Sequence, residues 1–309
     1  MINYFIRRFI QTLFVLLGAS FIIFIFVHIS PGDPVKMILG DNYNEEVGSV
    51  LRSQLGLDRP LMTQFTDWLG RVVKGDFGRS YFTKELVWDM IVDRLPYTAG
   101  LATFGILLAI LLAIPLGVLS AVKSFTIFDN LARVIAILGM SMPIFWVGLL
   151  LLILFSLKLG ILPSTGSVEN YGLKALILPS VALGLSTAAL VTRMTRSSLL
   201  EVLGQDYVRT ARSKGLAERC VLYTHALKNA ILPVITVVGL QFGSLLGGAV
   251  VTETVFSVPG LGRLLVQAIF WRDYPLIQGC VLVITVFFVV INFLVDTLYA
   301  VIDPRISLN

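Results

Sequence analysis

No Gly-Lys dipeptide occurs anywhere in this chain, so it holds no G-x-x-x-x-G-K-[ST] loop to cradle nucleotide phosphates. H-E-x-x-H, C-x-x-C and G-x-S-x-G are absent as well. The only histidines are His28 and His225, and the only cysteines Cys220 and Cys280, too few and too scattered for a metal or redox centre. We therefore expect no metal site, no cofactor bound by this chain, two free thiols and no enzymatic activity of its own. Charge is the other shortage. Asp, Glu, Lys and Arg make up 14% of the residues, against about 25% in soluble domains. With 56% apolar residues and a mean hydropathy of +0.87, the composition is that of an integral membrane protein. The net charge of +5 comes without a basic-aromatic patch, which argues against nucleic acid and fits Lys/Arg-rich cytoplasmic loops.

What is present is long apolar runs. Arg7 and Arg8 precede one from Phe9 to Gly32, too long for a signal-peptide core and without a small-residue cleavage site. Five more follow: Leu95–Val122, Val134–Leu157, Ala175–Thr192, Asn229–Thr252 and Tyr274–Val295, each near or above the roughly 20 residues that cross a bilayer. The expected fold is all-α, with six transmembrane helices and a sizeable external loop after the first. We divide it into 1–32 (N-terminus and first helix), 33–94 (external lobe) and 95–309 (permease core). Within the core, the connection 193–228 carries seven Lys/Arg against three Asp/Glu, while 158–174 carries two Lys and one Glu. This bias puts 193–228, both termini and Arg305 in the cytoplasm.

Pro115, Pro143, Pro179 and Pro233 sit in or beside spans, as static kinks or as bending points of a gate. Gly239, Gly243 and Gly247, at spacing four, share one helical face and allow close approach of a helix from this chain or from a second subunit. The apolar runs are nearly free of ionisable residues, Asp296 being the main exception, which argues against a proton-coupled carrier.

The longest polar interruption of the second half is Leu200–Pro233. Its run DYVRTARSKGL has a helix-forming body, Asp206 suited to the start and Gly215 suited to a left-handed stop. Read from residues alone, it is either a compact knob for a partner or a basic loop that anchors to anionic lipid. Here a resemblance enters. ATP-binding-cassette importers carry E-A-A-x-x-x-G in a cytoplasmic loop of the permease, followed by an I-x-L-P-like ending. Ala211, Gly215 and Ile231-Leu232-Pro233 keep parts of it, whereas Arg209 and Thr210 replace the Glu and the first Ala. YVRTARSKG with HALKNAILPV resembles the dipeptide, oligopeptide and nickel permease family. So do TETVFSVPGLGRLLVQAIFWRDYPLIQG, HISPGDP, LGLDRPL, GDFGRS and SMPIFW, the opening matching its first-subunit type.

The resemblance implies that Arg209, Thr210, Ala211, Arg212, Ser213, Lys214 and Gly215 form a coupling helix docking on an ATPase, with any salt bridge at the missing acidic position in doubt. It implies an external gate and binding-protein contact around Glu253, Pro259, Gly260, Gly262, Arg263, Arg272, Asp273 and Tyr274; these residues also suit a structural plug. The implied partners are a homologous second permease subunit, two cytoplasmic ATPase subunits binding ATP and Mg, an extracytoplasmic substrate-binding protein and membrane lipid. The implied cargo is a short peptide, glutathione among them, or alternatively nickel or a metal chelate. An ion-coupled secondary carrier and a structural membrane protein are the competing classes.

Overall fold

A computed structural model of the chain describes residues 2–29 and 33–302. The Asp296 side chain, Arg305 and residues 30–32 of HISPGDP lie outside what it describes. Among the described residues there is no strand, only an isolated antiparallel bridge between Arg79 and Leu86. Fourteen α-helices follow in order: α1 (Ile2–Ile29), α2 (Pro34–Leu39), α3 (Glu45–Leu55), α4 (Leu61–Val73), α5 (Val87–Val122), α6 (Ile127–Ser141), α7 (Ile144–Leu151), α8 (Val168–Tyr171), α9 (Ile177–Leu203), α10 (Asp206–Ser213), α11 (Glu218–Cys220), α12 (Leu227–Val255), α13 (Leu261–Trp271) and α14 (Tyr274–Ile302). The chain divides into two compact units: residues 1–98 with 259–289, and residues 99–258 with 290–309.

The first unit is assembled on aromatic and aliphatic packing. Phe24 of α1 meets Phe65 edge-on at 5.4 Å between ring centroids and lies 6.0 Å from Trp68, both on α4. A second cluster joins the start of α5 (Val87, Ile91) to α13 (Leu261, Leu264, Ala268) and α14 (Leu276, Cys280, Val283). Leu261 N–H, at the start of α13, donates to Thr98 Oγ1 at 2.8 Å.

The second unit is built around α9, which packs on α6, α7 and α12. α5 crosses α9 so closely that a Cβ on Gly184 would sit 2.5 Å from the Gly105 carbonyl oxygen. Only hydrogen fits there, the small-residue contact that brings membrane helices together where no hydrophobic force separates them from lipid.

Among the described residues five helices are long and apolar enough to cross a membrane: Ile6–Ile29, Val87–Val122, Val168–Leu203, Glu218–Val255 and Tyr274–Val295. The run expected as a single span over Val134–Leu157 departs from expectation. It begins at Ile127, and α6 and α7 meet at a bend of 107°. Met142 is extended (φ −80°, ψ 130°) ahead of Pro143, which caps α7. A residue before proline is pushed out of the helical region, and Pro143 lacks the N–H that would continue the ladder. Six spans result only if the bent pair counts as one. Two spans were also drawn too short, and the connection 193–228 between them too long: α9 runs past Thr192 to Leu203, and the fifth crossing begins at Glu218, carried into α12 by the π-type turn Val221–Ala226, with Pro233 inside α12.

Candidate functional site

The knob between the fourth and fifth crossings folds as the helix α10. It buries Val208 and Ala211 against Val221, with Val202 and Leu203 at the rim. Its other face is free: Arg209, Thr210, Arg212, Ser213, Lys214 and Gly215 are all exposed. Gly215 has φ +76° and nothing within 4 Å of where a Cβ would stand, so glycine is there for its backbone conformation. Two tethers hold the knob. Asn229 Nδ2 donates to Tyr207 Oη at 2.8 Å, and Arg212 Nη2 donates to Glu218 Oε1 at 2.7 Å. Arg209, at the position where an acidic residue was looked for, reaches Asp206 on its own helix at 3.5 Å. The base of the knob is apolar: Leu199, Ala226 and Ala230 pack with Val118 and Ala121 of α5.

Seven residues before the end of α9 lies a feature that sequence reasoning missed. Asp129 of α6 is wholly buried (0% exposed). Arg196 holds it bidentately, Nε to Oδ1 at 2.7 Å and Nη2 to Oδ2 at 2.8 Å. Ser120 Oγ at the end of α5 donates to Oδ1 at 2.5 Å, and Phe125 N–H to Oδ2 at 3.0 Å. Arg133 adds a longer ion contact of 3.7 Å. The carboxylate thus accepts from α5, the α5–α6 turn and α9, ending in a fork-to-fork pair, the strongest of the side-chain hydrogen-bond geometries.

The outer stretch separates into inward and outward residues. Asp273 is 0% exposed and caps α14: Leu276 N–H donates to Oδ1 at 3.3 Å, Ser80 Oγ donates to Oδ2, and Phe82 N–H to Oδ2 at 3.3 Å. The GDFGRS and RDYP motifs, nearly two hundred residues apart, therefore meet. Phe82 stacks on Trp271 at 4.5 Å and 9° beside them. Burial pushes the Tyr81 phenol up to about 12, with the Asp273 charge adding to it. Gly260, Gly262 and Tyr274 are buried in the first unit, and Glu253 is buried in the second. Pro259 and Arg263 are half-buried and, with Arg94 and Gly260, line a recess of ≈ 130 Å³. Of the eight residues expected at the outer gate, Arg272 alone is fully exposed, in a left-handed conformation (φ 52°).

The glycine stripe of α12 is not used uniformly. A Cβ on Gly239 would collide with the Val295 side chain at 2.3 Å, Gly243 is buried, and Gly247 is exposed with nothing within 4 Å. Among the described residues no three His, Cys, Asp or Glu side chains converge as a metal site.

These features define a class: a polytopic, all-helical permease with an exposed polar knob held on the ends of two crossings. A family model described as "Binding-protein-dependent transport system inner membrane component" matches residues 113–308, and one for the N-terminal part of such components matches residues 1–102. The chain belongs to this binding-protein-dependent transport family and is a multi-pass inner-membrane protein. It is 44% identical over 308 residues to the glutathione transport system permease protein GsiC of Escherichia coli (strain K12), covering 99% of both chains. It is 41% identical over an alignment of 335 residues to the dipeptide transport system permease protein DppB of the same strain, again covering 99% of each. Among solved structures it resembles the inward-facing MetNI methionine ABC transporter, with a TM-score of 0.57, 21% identity, 69% of this chain and 96% of that one. A second, an amino acid ABC transporter crystallised with histidines, gives a TM-score of 0.52 at 17% identity. These two bear on the fold alone.

Proposed function

We propose that this chain is half of the translocation pathway of an ATP-binding-cassette importer for short peptides. It pairs with a homologous permease and takes its ligand from an extracytoplasmic binding protein. Its drive comes from two cytoplasmic ATPase subunits that bind ATP and Mg. The relatives named for glutathione and dipeptides support peptide over nickel as cargo. The bent α6–α7 pair counts as one crossing, which gives six spans with both termini and α10 in the cytoplasm and residues 33–94 outside. The seven-to-three basic excess of 193–228 supports that orientation.

The observation that carries this reading is α10, anchored by Val208 and Ala211 yet presenting six of the seven expected docking residues to solvent. A helix held this way can be pushed without unfolding. Closure of the ATPases on ATP moves α10, and the apolar base shared with α9 and α12 passes the displacement to those helices. Arg196 on α9 then carries α6 and the end of α5 with it through Asp129. Directionality follows only if nucleotide and loaded binding protein stabilise different states of the pathway.

The test is a Gly215→Pro variant and a charge reversal at Arg212, each co-expressed with the partner subunits. We expect membrane insertion to persist while ATPase co-purification and ATP-dependent peptide uptake in proteoliposomes are lost. Unchanged co-purification and uptake would refute docking at α10. Uptake by the single chain on an ion gradient would refute the importer reading itself.

A further inference from the structure

The first unit contains a cleft of ≈ 550 Å³, within the roughly 300–1,000 Å³ typical of small-molecule sites. Phe24, Trp68 and Phe77 give it an apolar wall. Gln278, on the second turn of α14, also lines it and is only 5% exposed, yet its amide makes no hydrogen bond to the described residues. The amide is not among the fully enclosed, unpartnered polar atoms of the described residues, so it meets the open space of the cleft, where its donor and acceptor are free for a group that enters.

The charge left over in the cleft is positive. Asp67 is drawn to Arg59 at 3.4 Å, and Asp76 Oδ1 accepts from Gly78 N–H at 2.9 Å. Arg79 uses Nη1 on the Lys84 carbonyl at 3.1 Å, which leaves its other donors, while the Arg71 guanidinium makes no hydrogen bond or ion pair with the described residues, its backbone carbonyl accepting from Lys74 and Asp76 N–H. His28 is already committed, Nδ1 to the Phe24 carbonyl at 2.7 Å and Nε2 to Gln64 Oε1 at 3.1 Å.

We propose that this cleft binds a short peptide through a free carboxylate, held by Arg71 and Arg79 while Gln278 pairs with a peptide group. An inorganic anion would satisfy the arginines but leave the amide and the aromatic wall unused. An arginine fork fits a carboxylate in two bonds, and a primary amide matches the donor-acceptor face of a peptide bond. The inference rests on the peptide-importer reading and adds a site on the permease itself, separate from the binding protein's.

The test uses the complete permease–ATPase complex in nanodiscs, with neither binding protein nor ATP. Equilibrium dialysis measures glutathione, its diethyl ester and sulfate. We expect saturable binding of glutathione, none of the ester, and sulfate much weaker. Arg71→Gln, which loses a charge-assisted contact, and the near-isosteric Gln278→Glu, which loses an amide donor and sets a negative charge beside the ligand, should each weaken glutathione binding by about tenfold. Absence of saturable binding, equal binding of ester or sulfate, or unaltered affinity in both variants would overturn the proposal. ATP- and binding-protein-dependent uptake is measured in parallel on the wild-type complex. Uptake without binding removes the cleft site and leaves the importer reading standing. Binding without uptake supports the cleft and removes the transport reading.

Discussion

Asp129, Glu253 and Asp273 are wholly buried among the described residues, and the first and last of them are neutralised differently. Asp129, in the second unit, is answered by a full positive charge from Arg196, 67 residues away, with Ser120 and Phe125 N–H filling the remaining lone pairs. Asp273, in the first, is answered by the Ser80 hydroxyl and by Phe82 and Leu276 N–H, the last on the first turn of α14. The helix N-terminus supplies partial positive charge of its own. Ion-pair neutralisation binds separate helices but leaves each partner dependent on the other. Neutral-donor neutralisation shapes a loop and strands no opposite charge when it is lost. Asp129 is therefore suited to transmit displacement, and Asp273 to fix a rim.

The sharpest way to break this comparison is to remove each carboxylate. Asp129→Ala leaves Arg196, 16% exposed, without its partner, and orphaning one member of a buried pair costs about 3 kcal/mol or more. We expect a large drop in the thermal midpoint of the purified complex and loss of coupled uptake. Exchanging the charges, Asp129→Arg with Arg196→Asp, should recover part of both. If the single variant is as stable as wild type, the pair carries no mechanical load. Asp273→Ala should cost less, about 1–3 kcal/mol, because only hydrogen bonds to a charged group are lost. In that background Ser80→Ala should cost less than it does in wild type, because only the bonds that Ser80 Oγ accepts from Phe82 and Thr83 N–H are left to lose. An additive second loss would mean that Ser80 and Asp273 act separately.

Much of this architecture was legible from hydropathy. The apolar runs located the five long crossings, and a polar helix with a glycine stop located α10. The break at Met142–Pro143 was hidden because hydropathy does not register a backbone that turns within an apolar stretch. Pro143 was the available signal, read only as a kink. The ends of α9 and α12 were drawn short because Arg193, Arg196 and Lys228 look like loop residues in a charge count. No breaker follows Thr192 until Gly204, which was the clue to the longer helix. The Asp129–Arg196 and Ser80–Asp273 pairs were not legible, because long-range pairing belongs to packing rather than to local pattern. The outer residues Glu253, Asp273 and Tyr274 were picked out by motif, but a motif does not say whether a side chain faces in or out.

The exposed pair Arg212–Glu218 sharpens the comparison from the other side. Its side chains are 42% and 65% exposed, and pairs in that setting contribute little to stability because water and salt screen them. Arg212→Gln should leave the thermal midpoint of the complex where it is, in contrast to Asp129→Ala. Any effect should appear in ATPase co-purification alone. A clear loss of stability would show that the knob is held by this tether rather than by Val208 and Ala211.

The smallest effect expected lies in the alkaline titration of Tyr81. Burial and the Asp273 charge raise its phenol to about 12, from an ordinary tyrosine value of about 10. The folded protein thus holds this proton more tightly than the unfolded chain does. The stability linked to it is fully present below about pH 10 and is lost as pH rises towards 12. In a tyrosinate absorbance titration, one of the nine tyrosines should ionise late, and Tyr81→Phe should remove that step. Asp273→Asn deletes the charge but not the burial, so Tyr81 should then titrate earlier, though still above 10. This outcome would separate the electrostatic reach of Asp273 from its hydrogen bonds. An unmoved late step in Asp273→Asn would mean that Ser80, Phe82 and Leu276 have already quenched the charge, and that burial alone protects the phenol.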